Sequence, residues 1–207
     1  MVRVHDIVRF RDIGDITFHE EVPDWVRARP ACRHHAVVRR MKTNAQTVAI
    51  GLRGKGRTER IAGFINKADI EEIISPESLV GGPACDRNSR FHDILTEIDA
   101  IVSPFGYKWG PTGSVGFELA TGIPVTTHAS DLDMTVYVPA NPDYEALIQL
   151  DQQLQHYPLR LDVQIEFGQM GAALLPDIVK FKSGFLLRTS SGPLIAEMID
   201  NQITLRT

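Results

Sequence analysis

Two aspartates, Asp131 and Asp133, lie two residues apart in a short run with the pattern of a β-strand. The apolar residues of this run occupy every second position: Leu132, Met134, Val136 and Val138. This period predicts a strand with one buried face, and it places both carboxylates on the other face with Cα atoms roughly 6.5 Å apart. Because neighbouring carboxylates repel each other, the pair indicates a bound cation. Oxygen ligands in this number favour Mg²⁺.

A glycine-serine turn, Gly113-Ser114, precedes the aspartates. Glycine lets a backbone approach a ligand closely, and the following residues to Thr121 predict a short helix whose first N–H groups point at an anion. A phosphate at this turn and Mg²⁺ on Asp131 and Asp133 would form the arrangement of phosphoryl or nucleotidyl transfer. Either feature alone is weak, since an Asp-x-Asp strand is more often a solvated face. Their order and close spacing favour catalysis.

A second alternating strand offers a third carboxylate. Its predicted inward residues are Leu159, Leu161, Val163, Ile165 and Phe167, and its outward residues are Arg160, Asp162, Gln164 and Glu166. If this strand lies beside the aspartate strand, Asp162 can join Asp131 and Asp133. Glu166, further along the strand, is the competing candidate.

The remaining pattern predicts a mixture of helices and strands. Apolar residues at three- and four-residue spacing predict a helix from Phe91 to Val102, and a short helix is expected at 70–74. Two hairpins are predicted, one pairing 46–52 with 60–65 and one at the end of the chain pairing 185–189 with 193–198. The fold class is therefore α+β: a mixed sheet with flanking helices, preceded by a small β-rich unit. Gly81-Gly82-Pro83 marks the expected boundary between domains 1–82 and 83–207.

Charge is unevenly distributed along the chain. Residues 1–60 contain 13 Lys and Arg against 7 Asp and Glu, a charge of +6, and the remainder contains 9 against 19, a charge of −10. The whole chain therefore has no basic field that would indicate a nucleic-acid-binding protein. The basic N-terminal face is either a solvated surface or a docking surface for a polyanionic substrate or an acidic partner protein.

The sequence contains no apolar run long enough to span a membrane and no signal-peptide pattern at its start. Its two cysteines, Cys32 and Cys85, are not in a Cys-x-x-Cys arrangement. They are expected to be inert, reduced thiols, and we expect the protein to be cytoplasmic.

The glycine-serine turn, the Asp-x-Asp strand and a further acid on a neighbouring strand resemble the nucleotidyltransferase superfamily that includes DNA polymerase β. The longer motif around these residues indicates one particular family. The stretches 113–122 and 127–133 closely resemble the malonate decarboxylase holo-acyl-carrier-protein synthase family, whose members are also called phosphoribosyl-dephospho-CoA transferases. Flanking likeness extends to a segment at 50–54 and to Leu187-Arg188-Thr189. The resemblance thus implies a nucleotidyltransferase-like catalytic domain at 83–207.

The resemblance also implies a reaction. The donor would be 2′-(5″-triphosphoribosyl)-3′-dephospho-CoA, and the acceptor a serine of the apo acyl-carrier subunit of malonate decarboxylase, with pyrophosphate released. Asp131 and Asp133 would bind Mg²⁺, two ions about 4 Å apart, and Asp162 would favour deprotonation of the serine. The expected substrate-binding residues are Gly113, Ser114, Ser130 and Arg188. The basic N-terminal face would then attract the carrier, since carrier proteins are usually acidic.

Two other functions fit parts of the pattern. One is a nucleotidyltransferase that uses an ordinary nucleoside triphosphate and a small-molecule acceptor. The other is a catalytically inactive binding module that keeps the fold, against which the retained Asp131 and Asp133 pair argues.

Overall fold

The computed structural model describes residues 1–30, 34–54, 58–82, 91–127 and 130–206. Its strands are β1 (Ile7–Phe10), β2 (Ile16–Phe18), β3 (His35–Val38), β4 (Thr47–Arg53), β5 (Arg60–Asn66), β6 (Ile70–Ile74), β7 (Lys108–Pro111), β8 (Leu132–Tyr137), β9 (Leu161–Glu166), β10 (Ala172–Leu174), β11 (Phe185–Thr189), β12 (Gly192–Ile199) and β13 (Gln202–Leu205). Its α-helices are α1 (Asp24–Arg27), α2 (His92–Val102), α3 (Gly113–Thr121), α4 (Tyr144–Gln155) and α5 (Leu175–Lys180).

The strands form two sheets. The N-terminal sheet has the order β2-β5-β4-β3-β1-β6 and is antiparallel throughout. The C-terminal sheet has the order β13-β12-β11-β10-β9-β8-β7, and among its pairs only β8 and β9 run parallel. The predicted α+β class, with a mixed sheet following a β-rich N-terminal region, is confirmed. The domain boundary at Gly82 stays a prediction.

Each sheet has its own apolar core. In the C-terminal sheet, Leu132, Met134 and Val136 of β8 are almost completely buried, as their alternation predicts. They pack with residues of α2 and α4, including Leu95 and Leu150. Burial of each such side chain contributes about 1.5–3 kcal/mol to folding. This core holds β8 and β9 rigidly, and their other face is left for the aspartates.

The two predicted hairpins are present, because β4 pairs with β5 and β11 pairs with β12. The helix expected at 70–74 is wrong. These residues form β6, an edge strand that pairs antiparallel with β1. Isoleucine is β-branched and favours strands, and the ion pairs of Arg9 with Glu71 and Glu72 reinforce the pairing across the two strands.

Within the described residues, the structure has no helix that is both long and apolar enough to cross a membrane. Cys32 and Cys85 lie outside those residues, and the prediction of inert thiols in a cytoplasmic protein is untested.

Candidate active site

The glycine-serine turn lies directly beside the aspartate strand. β7 pairs antiparallel with β8, bringing Pro111 opposite Met134, and the chain then enters α3 at Gly113. The N–H of Thr112 donates a hydrogen bond to the backbone carbonyl of Asp133 at 2.8 Å. The predicted helix after the turn is present as α3. Its N-terminus lies beside the side chain of Asp133.

Gly113 cannot be replaced here without moving Asp133. Its φ of +58° is in the left-handed region, where a side chain is strained. A Cβ at this position would lie 1.9 Å from Oδ2 of Asp133, far inside any real contact. The carboxylate therefore occupies the space that the missing side chain leaves, and the glycine is what lets turn and carboxylate meet.

The parallel pairing of β8 and β9 decides which acid lies next to Asp133. Asp133 and Asp162 are direct register partners, so their Cα atoms are about 4.8 Å apart and their side chains share a face. Glu166 is the partner of Tyr137, four residues further along both strands. The structure therefore brings Asp162, rather than Glu166, to Asp133.

The carboxylates at this position repel one another. Partial burial, followed by the charges of Asp131 and Asp162, raises the pKa of Asp133, whereas the charges of His5 and Arg53 oppose that rise. A cation would remove this cost. Among the described residues no three acidic, histidine or cysteine side chains converge into a complete metal site. The oxygen donors present suit Mg²⁺, which usually takes one or two carboxylates and completes its shell with waters and substrate phosphates.

A cleft of about 890 Å³ opens between the two sheets at this position. On the C-terminal side its lining includes Gly113, Asp133, Asp162 and Arg188. On the N-terminal side it includes His5 and three arginines, Arg39, Arg53 and Arg60. The aspartates of the C-terminal wall thus share one cavity with three arginines of the N-terminal wall and with Arg188 of their own wall, a combination suited to a metal-bound polyanion.

Comparison with known proteins identifies the family. Two family models match the sequence. Residues 3–76 match the phosphoribosyl-dephospho-CoA transferase MdcG N-terminal domain, and residues 82–198 match the MdcG C-terminal domain. The chain belongs to the phosphoribosyl-dephospho-CoA transferase family. It is thus related to transferase enzymes, as the resemblance of its central motif implied.

Individual relatives of the same name cover nearly the whole chain. The chain is 34% identical over 196 residues to a phosphoribosyl-dephospho-CoA transferase of Pseudomonas putida (strain GB-1), covering 92% of this chain and 91% of that protein. It is 33% identical to one of Azotobacter vinelandii, covering 82% of each chain, and 32% identical to one of Klebsiella pneumoniae (strain 342), covering 92% of each. No solved structure matches the chain.

In this member of the phosphoribosyl-dephospho-CoA transferase family, Glu166 joins the two sheets. It is buried, forms an ion pair with Arg40, and lies 3.1 Å from Nε2 of His5. Burial alone would raise the pKa of Glu166, but the hydrogen bond with His5 and the charge of Arg40 lower it overall. Arg40 and His5 belong to the N-terminal unit, so Glu166 fixes one wall of the cleft against the other.

The other expected substrate-binding residues lie around the cleft in different ways. Arg188 is on β11, lines the cavity, and donates to Oε1 of Gln164 at 3.0 Å. Ser114 is in the first turn of α3, and Ser130 precedes the strand and accepts a hydrogen bond from the N–H of Thr127 at 3.0 Å. These two serines and Asp131 are not part of the cavity lining. His128 of the motif lies outside the described residues.

Sequence reasoning missed the contribution of the N-terminal unit to this cavity. His5 contacts Glu166, 161 positions away in the chain, and no local pattern could have indicated that contact. The excess of basic residues in 1–60 was visible in the sequence, but the position of Arg39, Arg53 and Arg60 in one cavity with Asp133 and Asp162 comes from the packing of one sheet over the other.

Proposed function

We propose that this protein transfers the phosphoribosyl-dephospho-CoA group from 2′-(5″-triphosphoribosyl)-3′-dephospho-CoA to a serine of the apo acyl-carrier subunit of malonate decarboxylase and releases pyrophosphate. Family membership supports the transferred group. The carrier and the leaving group are our extension from the family resemblance of the central motif.

One observation carries the proposal: Asp133 and Asp162 are register partners on parallel strands, and the turn at Gly113 is packed against the first of them. A pair of repelling carboxylates beside a helix N-terminus binds a cation and an anion at neighbouring positions. A magnesium-bound triphosphate supplies both. The cleft volume is near the upper end of the ~300–1,000 Å³ typical of small-molecule sites, as a donor the size of a dephospho-CoA derivative requires.

The transfer is a single displacement at phosphorus. The serine oxygen of the carrier attacks the phosphorus nearest the ribose and forms a new P–O bond. The bond from that phosphorus to the bridging oxygen of the next phosphate breaks, and its electron pair leaves with pyrophosphate. The product is a phosphodiester between the serine and the prosthetic group. Catalysis of such a step is mainly positioning and charge stabilisation.

Residues of this chain have distinct tasks in that step. Asp131 and Asp133 would hold Mg²⁺, which when bound neutralises charge on the phosphates. Asp162 lies next to Asp133 and would favour loss of the serine proton. The backbone N–H groups at Gly113 and Ser114, at the start of the nine-residue helix α3, would bind the phosphates that leave. Asp133, Asp162 and the turn at Gly113 are fixed by two strands and a helix, so little reorganisation accompanies the reaction.

The experiment is intact-mass spectrometry of an apo malonate decarboxylase carrier subunit incubated with this protein, Mg²⁺ and the triphosphoribosyl donor. We expect a mass gain equal to the donor minus pyrophosphate. Asp133→Asn should abolish the gain. The matched control Asp93→Asn removes one exposed carboxylate from the first turn of α2, away from the cleft, and should keep it.

A folded wild-type protein that produces no mass gain would refute the proposal. The next assay would then test ordinary nucleoside triphosphates with small acceptors. A mass gain that survives Asp133→Asn would leave the reaction standing but would place its centre elsewhere.

A further inference from the structure

The N-terminal wall of the cleft carries two arginines at neighbouring positions. Arg53 of β4 and Arg60 of β5 are direct register partners in an antiparallel pair, so two guanidinium-bearing side chains project from neighbouring positions on one face. Like charges placed opposite each other destabilise a strand pair. The arrangement mirrors the opposite wall, where two carboxylates, Asp133 and Asp162, are partners across β8 and β9.

Both like-charged pairs line the same cavity. Arg53 and Asp133 line this cavity together, so one ligand can contact both walls. A ligand that carries both a cation and a polyanion offers a group of opposite charge to each pair. A magnesium-bound phosphate chain is a ligand of this kind.

The residues next to these arginines on the same face of the sheet have small side chains. The next register pair on the same face of β4 and β5 is Gly51 with Ala62, and both line the cavity. The stem of Arg39 lies across Gly51, because a Cβ placed there would be 3.2 Å from Cδ of Arg39. The small residues thus let the side chain of Arg39 lie against the sheet, on the wall that also carries Arg53 and Arg60. Arg39 and Arg60 are exposed to solvent and make no ion pair with another described residue.

We propose that Arg39, Arg53 and Arg60 bind the triphosphate of the donor, so that the N-terminal sheet is a donor-binding element. The inference rests on the proposed function for the donor's identity. It differs from the expectation that the basic face attracts the acidic carrier. Guanidinium groups bind phosphate oxygens with paired hydrogen bonds, and here they would stabilise the negative charge that gathers on pyrophosphate as the P–O bond breaks.

The first test uses a probe that does not depend on the carrier. Calorimetric titration of the full-length protein with inorganic tripolyphosphate and Mg²⁺ should show binding. Arg39→Ala and Arg60→Ala should each weaken it by about tenfold, the scale of one hydrogen bond to a charged group. Arg53 is half-buried, so the test leaves it in place. The matched control is Arg11→Ala, which removes the same charge from a largely exposed residue that does not line the cleft and should change affinity less than twofold.

The second test separates donor from carrier. In the transfer assay, Arg60→Ala should raise KM for the donor about tenfold and leave KM for the carrier unchanged. Unchanged tripolyphosphate affinity in both arginine variants, or a raised KM for the carrier alone, would overturn the inference. If wild-type protein binds tripolyphosphate in an arginine-dependent way but transfers nothing to the carrier, the triphosphate site stands and the proposed acceptor is wrong.

Discussion

Replacing Gly113 by alanine tests the centre of the proposed site. The new Cβ would lie 1.9 Å from Oδ2 of Asp133, and ordinary contact begins at 3.4 Å, so the carboxylate must retreat by about 1.5 Å. A misplacement of about 1 Å in a catalytic group can cost about 100-fold in rate. The left-handed φ of +58° adds a backbone cost of about 1–2 kcal/mol.

Gly122→Ala is the matched control, because Gly122 ends the same helix with a similar φ of +67° but has no atom within 4 Å of its added Cβ. Both variants carry the backbone cost, and only Gly113→Ala displaces Asp133. We expect both to lose about 1–2 kcal/mol of stability from the backbone, with an additional loss of about 1 kcal/mol in Gly113→Ala from the off-rotamer carboxylate.

The assay is the initial rate of prosthetic-group transfer, with urea unfolding measured on the same samples. Gly113→Ala should lose at least about 100-fold in kcat, whereas Gly122→Ala should stay within a fewfold of wild type. Equal rates in the two variants would refute the reasoning, since they would show that contact between Gly113 and Asp133 has no part in catalysis.

Three further predictions concern Asp133, Glu166 and Mg²⁺. Asp133→Asn should lower the rate by about a thousandfold or more, yet raise the melting temperature of the metal-free protein at pH 7. The reason is that burial and neighbouring charges raise the pKa of Asp133. The protonated carboxyl contributes to stability below the ordinary aspartate pKa. This contribution is lost as pH rises through the raised pKa, and asparagine avoids the loss at pH 7. Glu166→Gln should cost about 3 kcal/mol at pH 7, because it leaves a buried partner uncompensated. Since the pKa of Glu166 is lowered, urea unfolding should show that difference above the ordinary glutamate pKa and its loss as pH falls through the lowered value. Chelation of Mg²⁺ should abolish transfer reversibly without unfolding the protein, as monitored by circular dichroism, because its two cores are built from the chain alone.

The sequence determined the local parts of the site. The alternation from Leu132 to Val136 predicted the strand, and the order of Gly113, Ser114 and the aspartates predicted a turn-helix next to it. These features depend on neighbours in the chain, so their physical causes can be read from it. The short segment at 70–74 was read wrongly as a helix because its strand character depends on pairing with β1.

The tertiary structure decided which groups meet. The register of β8 against β9 places Asp162 beside Asp133, and it places Glu166 four residues further along the strand. Glu166 instead makes buried contacts with Arg40 and His5, which are far from it in the chain. The packing of one sheet over the other also placed Arg39, Arg53 and Arg60 in one cavity with Asp133 and Asp162. Register and sheet packing are long-range properties, fixed by burial summed over many residues. No single stretch of the sequence encodes them.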